Sequence, residues 1–195
     1  MGSLRHRLIV AALAASTALT LNACGDGHTR VTTGTYAGES GVAAPYLNVG
    51  PLIYEIQLSR ELNPSNTEDS SYLVGLSPAQ RKLGPGEEWF AVFLQVYNQT
   101  GRAHPAASSL TITDAQGNVY LPILPDQSNQ FTYRAGLVQA KQQLPEADTV
   151  AASGPTQGAL LLYKIKLVSL DNRPLEMRIV DPTDRAQSAS AELDV

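Results

Sequence analysis

From residue 52 to the C-terminus the apolar side chains recur with a period of two, and no stretch repeats them at the helical period of 3.6. The clearest case is Trp89–Tyr97. Phe90, Val92, Leu94 and Val96 form one face, while Trp89, Ala91, Phe93 and Tyr97 make the other half apolar. This predicts a central strand, buried on one side and partly covered on the other. Leu161, Tyr163, Ile165 and Leu167 alternate with Lys164 and Lys166, and Leu175, Met177 and Ile179 with Glu176 and Arg178. Leu52, Tyr54, Ile56 and Leu58 alternate with Glu55 and Gln57, and Ala191, Leu193 and Val195 with Glu192 and Asp194. Each reads as a strand with one face inside and one face wet.

Turn chemistry separates these runs. Thr113-Asp114-Ala115-Gln116-Gly117-Asn118 divides Leu110–Thr113 from Val119–Leu121 and predicts a hairpin with Gly117 in the left-handed position. Asp171-Asn172-Arg173-Pro174 divides strands expected at 159–170 and 175–181. Ser77-Pro78 starts one expected helical turn through Leu83, stopped by Gly84-Pro85-Gly86. Short strands with frequent Gly, Pro, Asn and Asp turns predict an antiparallel β-sandwich of seven or eight strands. A small barrel would use the same pattern.

The N-terminus has a different organisation. Arg5 and Arg7 precede an apolar run from Leu8 to Leu21, and Asn22-Ala23-Cys24 follows. A positive start, a short apolar region and a small-residue site are the parts of an export signal. Fourteen helical residues would cover about 21 Å, less than the ~30 Å hydrocarbon core of a bilayer. Cys24 is the single cysteine of the chain, so in an exported protein no internal disulfide accounts for it. Leu21-Asn22-Ala23-Cys24 resembles the bacterial lipobox, although Asn22 stands where that motif usually holds Ser, Thr, Ala or Val. The resemblance implies cleavage before Cys24 and anchoring in the membrane through acyl chains on it. The alternatives are an uncleaved signal anchor, or a plain signal peptide cut near Ala23 that leaves a free thiol.

Three segments result: a signal over 1–23, a flexible tether over 24–50 and a folded domain over 51–195. The stretch 25–50 is rich in Gly, Thr, Ala and Ser and has no apolar periodicity. As a coil its ends would lie roughly 28 Å apart. Arg30-Val31-Thr32-Thr33 has some β character, so one peripheral strand is the other reading of this stretch. The 145 residues that follow suffice for one domain with its own core. Loss of 1–23 leaves 12 basic residues against 18 acidic ones, a net charge of −6. The charges are interspersed, and the clustered Lys and Arg that phosphate neutralisation requires are missing, which argues against nucleic acid as a partner.

Trp89-Phe90-Ala91-Val92-Phe93-Leu94-Gln95-Val96-Tyr97-Asn98-Gln99-Thr100, the Asp114–Asn118 turn and Gly158-Ala159-Leu160-Leu161-Leu162-Tyr163 follow a known order. Over roughly residues 50–195 the chain resembles actinobacterial lipoproteins of unknown function. More distantly it is similar to the small immunoglobulin-like domain of unknown function found in many secreted Gram-positive proteins. The resemblance implies an immunoglobulin-like, all-β sandwich outside the cytoplasm and carries no catalytic residues over. The cysteine pair of antibody-type domains is absent, so Trp89 does not pack on such a disulfide.

Residues with catalytic potential are sparse. After the signal the chain keeps His28, in the tether, and His104, before Pro105 in a loop. Nucleophilic hydrolysis needs a Ser or Cys near an oriented base, and only His104 could supply that base. Glu68-Asp69 and Glu87-Glu88 are paired acids, but glycosidase work needs two carboxylates across a cleft. Glu68-Asp69-Ser70-Ser71 and Asp126-Gln127-Ser128-Asn129 offer oxygen ligands without calcium-loop spacing. Asn98-Gln99-Thr100 matches a glycosylation sequon and reads as a turn. Tyr72, Leu73, Val74 and Leu76 lie in the long loop 63–88 and are expected to cover a sheet edge, or else to form a ligand or partner surface.

The expectation is therefore an anchored, non-enzymatic domain with no cofactor and no metal, which binds a protein partner in the cell envelope or stabilises an envelope complex. Two other readings differ in class. An envelope hydrolase requires His104 or an acid pair in a cleft, and a carrier of a small apolar ligand requires a cavity between the sheets.

Overall fold

The structure, a computed structural model, describes residues 28–32 and 46–193. The signal, Cys24 and most of the expected tether lie outside the described residues. In chain order the elements are β1 (His28–Thr32), β2 (Tyr46–Val49), β3 (Leu52–Leu62), α1 (Thr67–Tyr72), α2 (Pro78–Arg81) and β4 (Glu87–Tyr97). There follow β5 (His104–Pro105), β6 (Ser109–Thr113), β7 (Val119–Tyr120), β8 (Leu137–Val138), β9 (Gln143–Leu144) and α3 (Val150–Ser153). The chain continues through β10 (Ala159–Lys166), α4 (Leu167–Asp171), β11 (Leu175–Val180) and β12 (Ser188–Leu193). Eight of the described strands have four or more residues. β1 and β2 both fall inside the stretch 24–50, so sheet structure begins before residue 51.

Two sheets face each other. The front sheet runs β10-β4-β3-β2, with β9 also paired to β4, and the back sheet runs β1-β12-β11-β6-β7. All pairings between these strands are antiparallel except β1 with β12. The molecule is an antiparallel β-sandwich. Between the sheets lie Leu52, Tyr54, Phe90, Val92, Leu94, Leu161, Tyr163 and Ile165 from the front and Leu110, Ile112, Leu175, Met177, Ile179 and Ala191 from the back. Period two drives this placement, since alternate side chains of each strand meet the opposing sheet.

Three buried tyrosines stitch the layers together. Tyr54 accepts the Ala107 N–H at 2.7 Å, Tyr133 donates to the Ala107 carbonyl at 2.8 Å, and Tyr163 donates to the Leu110 carbonyl at 3.2 Å. Burial pushes the Tyr54 phenol up to about 12 and raises Tyr133 and Tyr163 as well. In a low-dielectric interior the neutral phenol is the stable form.

The front sheet has a second apolar layer on its outer face. Trp89, Ala91 and Phe93 of β4, Leu160 and Leu162 of β10 and Leu62 of β3 pack there under Tyr72, Leu73 and Leu76. Loop 63–86 thus covers a sheet face, not an edge, and of Tyr72, Leu73, Val74 and Leu76 only Val74 is exposed, at 43%. Tyr72 meets Phe93 edge-on at 5.1 Å and Phe131 at 5.0 Å between ring centroids. The cover has its own framework. Asn66 caps α1 by accepting the Glu68 N–H at 2.8 Å, and Ser77 forms a capping box with Gln80 at the start of α2.

A β-bulge feeds this second layer. Ile56 pairs with Leu94 but Leu58 pairs with Phe93, so Gln57 is an extra residue in β3. One inserted residue moves every later side chain to the other face. Leu58 therefore packs with the outer cluster and does not share a face with Leu52, Tyr54 and Ile56.

β10 also departs from the alternating pattern. It stops at Lys166, and 167–171 form α4, not the end of a strand reaching 170. Leu167 is 43% exposed while Leu170 is buried. Helical spacing there lets Ser169 donate to Asp114 at 2.6 Å while Leu170 reaches the core.

The Asp114–Asn118 hairpin forms with Gly117 at φ +85°. Gly158 sits at φ +110°, and a Cβ there would lie 2.8 Å from the Leu94 nitrogen, so β10 enters beside β4 only with glycine at that point.

Candidate functional site

The outer cover ends partway along β4. Beyond Phe93 the same face carries Gln95 and Tyr97, paired across the sheet with Glu55 and Ile53 of β3. The next strand adds Tyr46 opposite Glu55 and Asn48 opposite Ile53, and β9 adds Gln143 opposite Tyr97. Four strands therefore place Tyr46, Glu55, Gln95, Tyr97 and Gln143 on one polar patch.

Its interior is ordered by hydrogen bonds. The Tyr97 hydroxyl donates to Glu55 Oε2 at 2.8 Å and also touches the Gln95 side-chain amide. A phenol has one proton, and the acceptor-only carboxylate is the stronger claimant. Glu55 and Gln95 are only 8% and 6% exposed. Burial, then the Glu55 hydrogen bond and charge, raise the Tyr97 phenol beyond the usual tyrosine range.

At the rim, Asn98 joins two loops. Its N–H donates to the Gln142 carbonyl at 2.9 Å, and its Nδ2 donates to the Val138 and Gln139 carbonyls at 2.9 and 3.0 Å. Its Oδ1 accepts from the Thr100 N–H and hydroxyl, so the sequon is a fully committed turn. Lys141 adopts φ +61°, a left-handed conformation that costs a non-glycine residue energy, and its Nζ donates to the Gln99 carbonyl at 2.5 Å. These bonds hold a depression of about 500 Å³ lined by Tyr97, Gln99, Lys141, Gln142 and Gln143. A neighbouring depression of about 720 Å³ shares Gln142, Gln143 and Ala147 and continues past Leu144 to Glu146 and Asp148.

A different cavity lies where the edges of the sheets part. Leu110 of β6, Leu161 of β10, Pro122, Leu124 and Tyr133 line an open cleft of about 260 Å³, with Ser108 and Arg134 exposed among its lining residues. Arg134 is held by the Pro125 and Asp126 carbonyls at 3.1 and 2.5 Å.

The residues singled out by sequence are placed elsewhere. His104 sits in β5 opposite Val138 and lines none of these three depressions. The carboxylate whose charge it favours is Asp181, whose Oδ1 accepts the Thr183 N–H and hydroxyl and the Asp184 N–H. Glu68 accepts from Tyr72 and Thr156, and Asp69 takes Arg60 at 2.5 Å and the Asn63 N–H at 2.8 Å. Glu87 accepts the Gly84 N–H at 2.7 Å, and Glu88 pairs with Ile165 in the sheet. Asp126 accepts from Ser128 within its turn. These acids brace loops or stand in strands and do not meet across a cavity. Among the described residues no group of three or more His, Cys, Asp or Glu side chains is placed to hold a metal ion. Nor is any described helix long and apolar enough to cross a membrane. The polar patch itself was not singled out from sequence. Its one local sign is the change from Trp89, Ala91 and Phe93 to Gln95 along a single strand face.

No protein-family model and no curated protein sequence matches the chain. Solved structures do resemble it. A candidate lipoprotein (YcdA) of Bacillus subtilis superposes over 80% of this chain with TM-score 0.50 and 10% identity, and the chain spans 39% of that protein's length. The YjhA protein of Bacillus subtilis matches 78% of this chain and 98% of its own, with TM-score 0.50 and 8% identity. An uncharacterised β-sandwich protein of Clostridium difficile matches over 78% of the chain at TM-score 0.45 and 13% identity. At such identities the likeness to the two Bacillus structures is one of fold alone.

Proposed function

We propose that the chain is an envelope protein anchored through acyl chains on Cys24, whose immunoglobulin-like β-sandwich is a non-catalytic binding domain. One observation carries the non-catalytic part. The acids that sequence offered for chemistry brace loops and turns or, for Glu88, stand in a strand, and His104 lies apart from the three depressions. A hydrolytic site requires a base beside a nucleophile and a pocket for the reacting bond. The anchored part rests on the short apolar signal ending at Cys24, and the fold shared with a candidate lipoprotein agrees with it. Two acyl chains would suffice for stable attachment, at about 0.8 kcal/mol for each buried methylene.

Metabolic labelling with an alkynyl fatty acid in a bacterial host tests the anchor. The wild type should take up label and partition into detergent, while Cys24→Ser should do neither. Equal labelling of both proteins would overturn the assignment.

A further inference from the structure

The two contiguous depressions at the end of the front sheet have a chemistry of their own. Their shared wall of Gln142, Gln143 and Ala147 makes them one elongated groove, and each lies within the roughly 300–1,000 Å³ typical of small-ligand sites. Gln99 and Gln142 are exposed and Gln143, whose Nε2 donates to the Pro145 carbonyl at 3.2 Å, is half-buried, so three glutamine carboxamides border the first depression beside the committed Asn98. A carboxamide presents a donor and an acceptor side by side, which matches the adjacent hydroxyls of a sugar ring. Tyr97 contributes an aromatic ring whose hydroxyl is already fixed on Glu55, and Tyr46, 59% exposed, stands in the neighbouring row of the same face. Rings of this kind meet the C–H faces of a pyranose. Lys141, the one cation of the groove, is engaged by the Gln99 carbonyl, and the far end carries Glu146 and Asp148. That balance disfavours an anionic ligand.

The floor is also built in advance. Asn98 ties loop 138–142 to the end of β4 with three hydrogen bonds, and Lys141 is held in the left-handed region. Strain retained at a fixed loop is typical of a preorganised site. The apolar cleft at Leu124 has no comparable set of donors and acceptors.

We propose that this groove binds an extended neutral oligosaccharide, with Gln99, Gln142 and Gln143 gripping ring hydroxyls and Tyr97 packing against a ring face. The inference deepens the binding-domain reading and does not depend on the acyl anchor.

The test is titration of the full chain, in a zwitterionic detergent without sugar headgroups, with chitotetraose and with cellotetraose, followed by NMR. At least one of them should give saturable shifts at the side-chain amides of Gln99, Gln142 and Gln143. Gln142→Ala combined with Gln99→Ala should weaken binding at least about tenfold, a change of about 1.4 kcal/mol, and leave the far-ultraviolet circular dichroism unchanged. Gln143→Ala alone should weaken it in the same direction. No saturable shift with either sugar would overturn the proposal, as would wild-type affinity in the variants or shifts confined to the Leu124 cleft. Failure here beside fatty-acid labelling of Cys24 refutes the groove alone, whereas sugar binding without labelling refutes the anchor alone.

Discussion

One face of one strand is put to two uses. The outward side chains of β4 run through Trp89, Ala91 and Phe93, sealed beneath α1 and its loop, and continue with the buried Gln95 and the half-buried Tyr97, which lie outside that apolar cover. The sealed half is held by apolar area and ring contacts, which are non-directional and large in sum. The uncovered half is held by a phenol between a carboxylate and an amide, and by an asparagine that staples two loops. Its outward side chains are polar or half-buried, and the bonds among them are directional. Most of the folding stability thus resides in the first half and a smaller share in the buried Tyr97–Glu55 pair, which leaves the exposed Gln99 and Gln142 at the rim free to present hydrogen-bonding groups to a ligand.

Removal of a ring from the sealed half should cost most. Phe93→Ala should lower the unfolding free energy by about 3–5 kcal/mol, read as a fall in the urea midpoint, because Tyr72 loses an edge-on ring partner and the packed outer layer is left with a cavity. A loss under about 1 kcal/mol would mean that loop 63–86 does not seal this face.

The alkaline limb of the stability curve comes next. The folded-state phenols of Tyr54, Tyr133, Tyr163 and Tyr97 lie above the ordinary value near 10. A raised folded-state value stabilises fully below the unfolded one and is lost as pH climbs through the folded one. Thermal midpoints should therefore hold steady up to about pH 9 and fall between about pH 10 and 12. Burial pushes Asp114 upward, but hydrogen bonds from Ser169, Asn118 and Gln116 outweigh it and hold the carboxyl at about 2. Its contribution is present above the unfolded value near 4 and should fade as pH drops from about 4 toward 2. An alkaline limb that begins near pH 8 would contradict the buried-phenol account.

Smaller again is Tyr97→Phe, which should cost about 1–3 kcal/mol. It leaves the buried Glu55 carboxylate without its tyrosine donor and removes little apolar contact. Smallest of all should be Gln99→Ala or Gln142→Ala, each within about 0.5 kcal/mol of wild type, because both side chains are exposed.

How much of this was legible in the chain follows the same division. Alternation over Trp89–Tyr97 announces the strand itself, but both of its faces are buried from Trp89 to Val96, so the outer face is covered more fully than its half-apolar composition suggests. The hairpin at Asp114–Asn118 and the capped turn at Ser77-Pro78 are equally local, since few residues specify each turn. The bulge at Gln57 is not local. Nothing beside Ile56 distinguishes an extra residue from continued alternation; the demand comes from Phe93 and Leu94 on the neighbouring strand. Leu167 misled in the same way, because it continues the spacing of Leu161, Tyr163 and Ile165. What bends the chain into α4 is the chance to place Ser169 on Asp114, 55 positions away in sequence. The polar patch needs the register of β2, β3, β4 and β9 together, so no single segment reveals it.

The central claim is that the exposed carboxamides of Gln99 and Gln142, at the polar end of this face, are spared by folding and available for recognition. Urea unfolding of Phe93→Ala beside the Gln99→Ala, Gln142→Ala double variant tests it most directly. The account predicts a loss of about 3–5 kcal/mol for the first and less than about 1 kcal/mol for the second. A double variant that loses as much as Phe93→Ala would show that the polar end is a structural part of the fold, and would contradict the division drawn between the two halves.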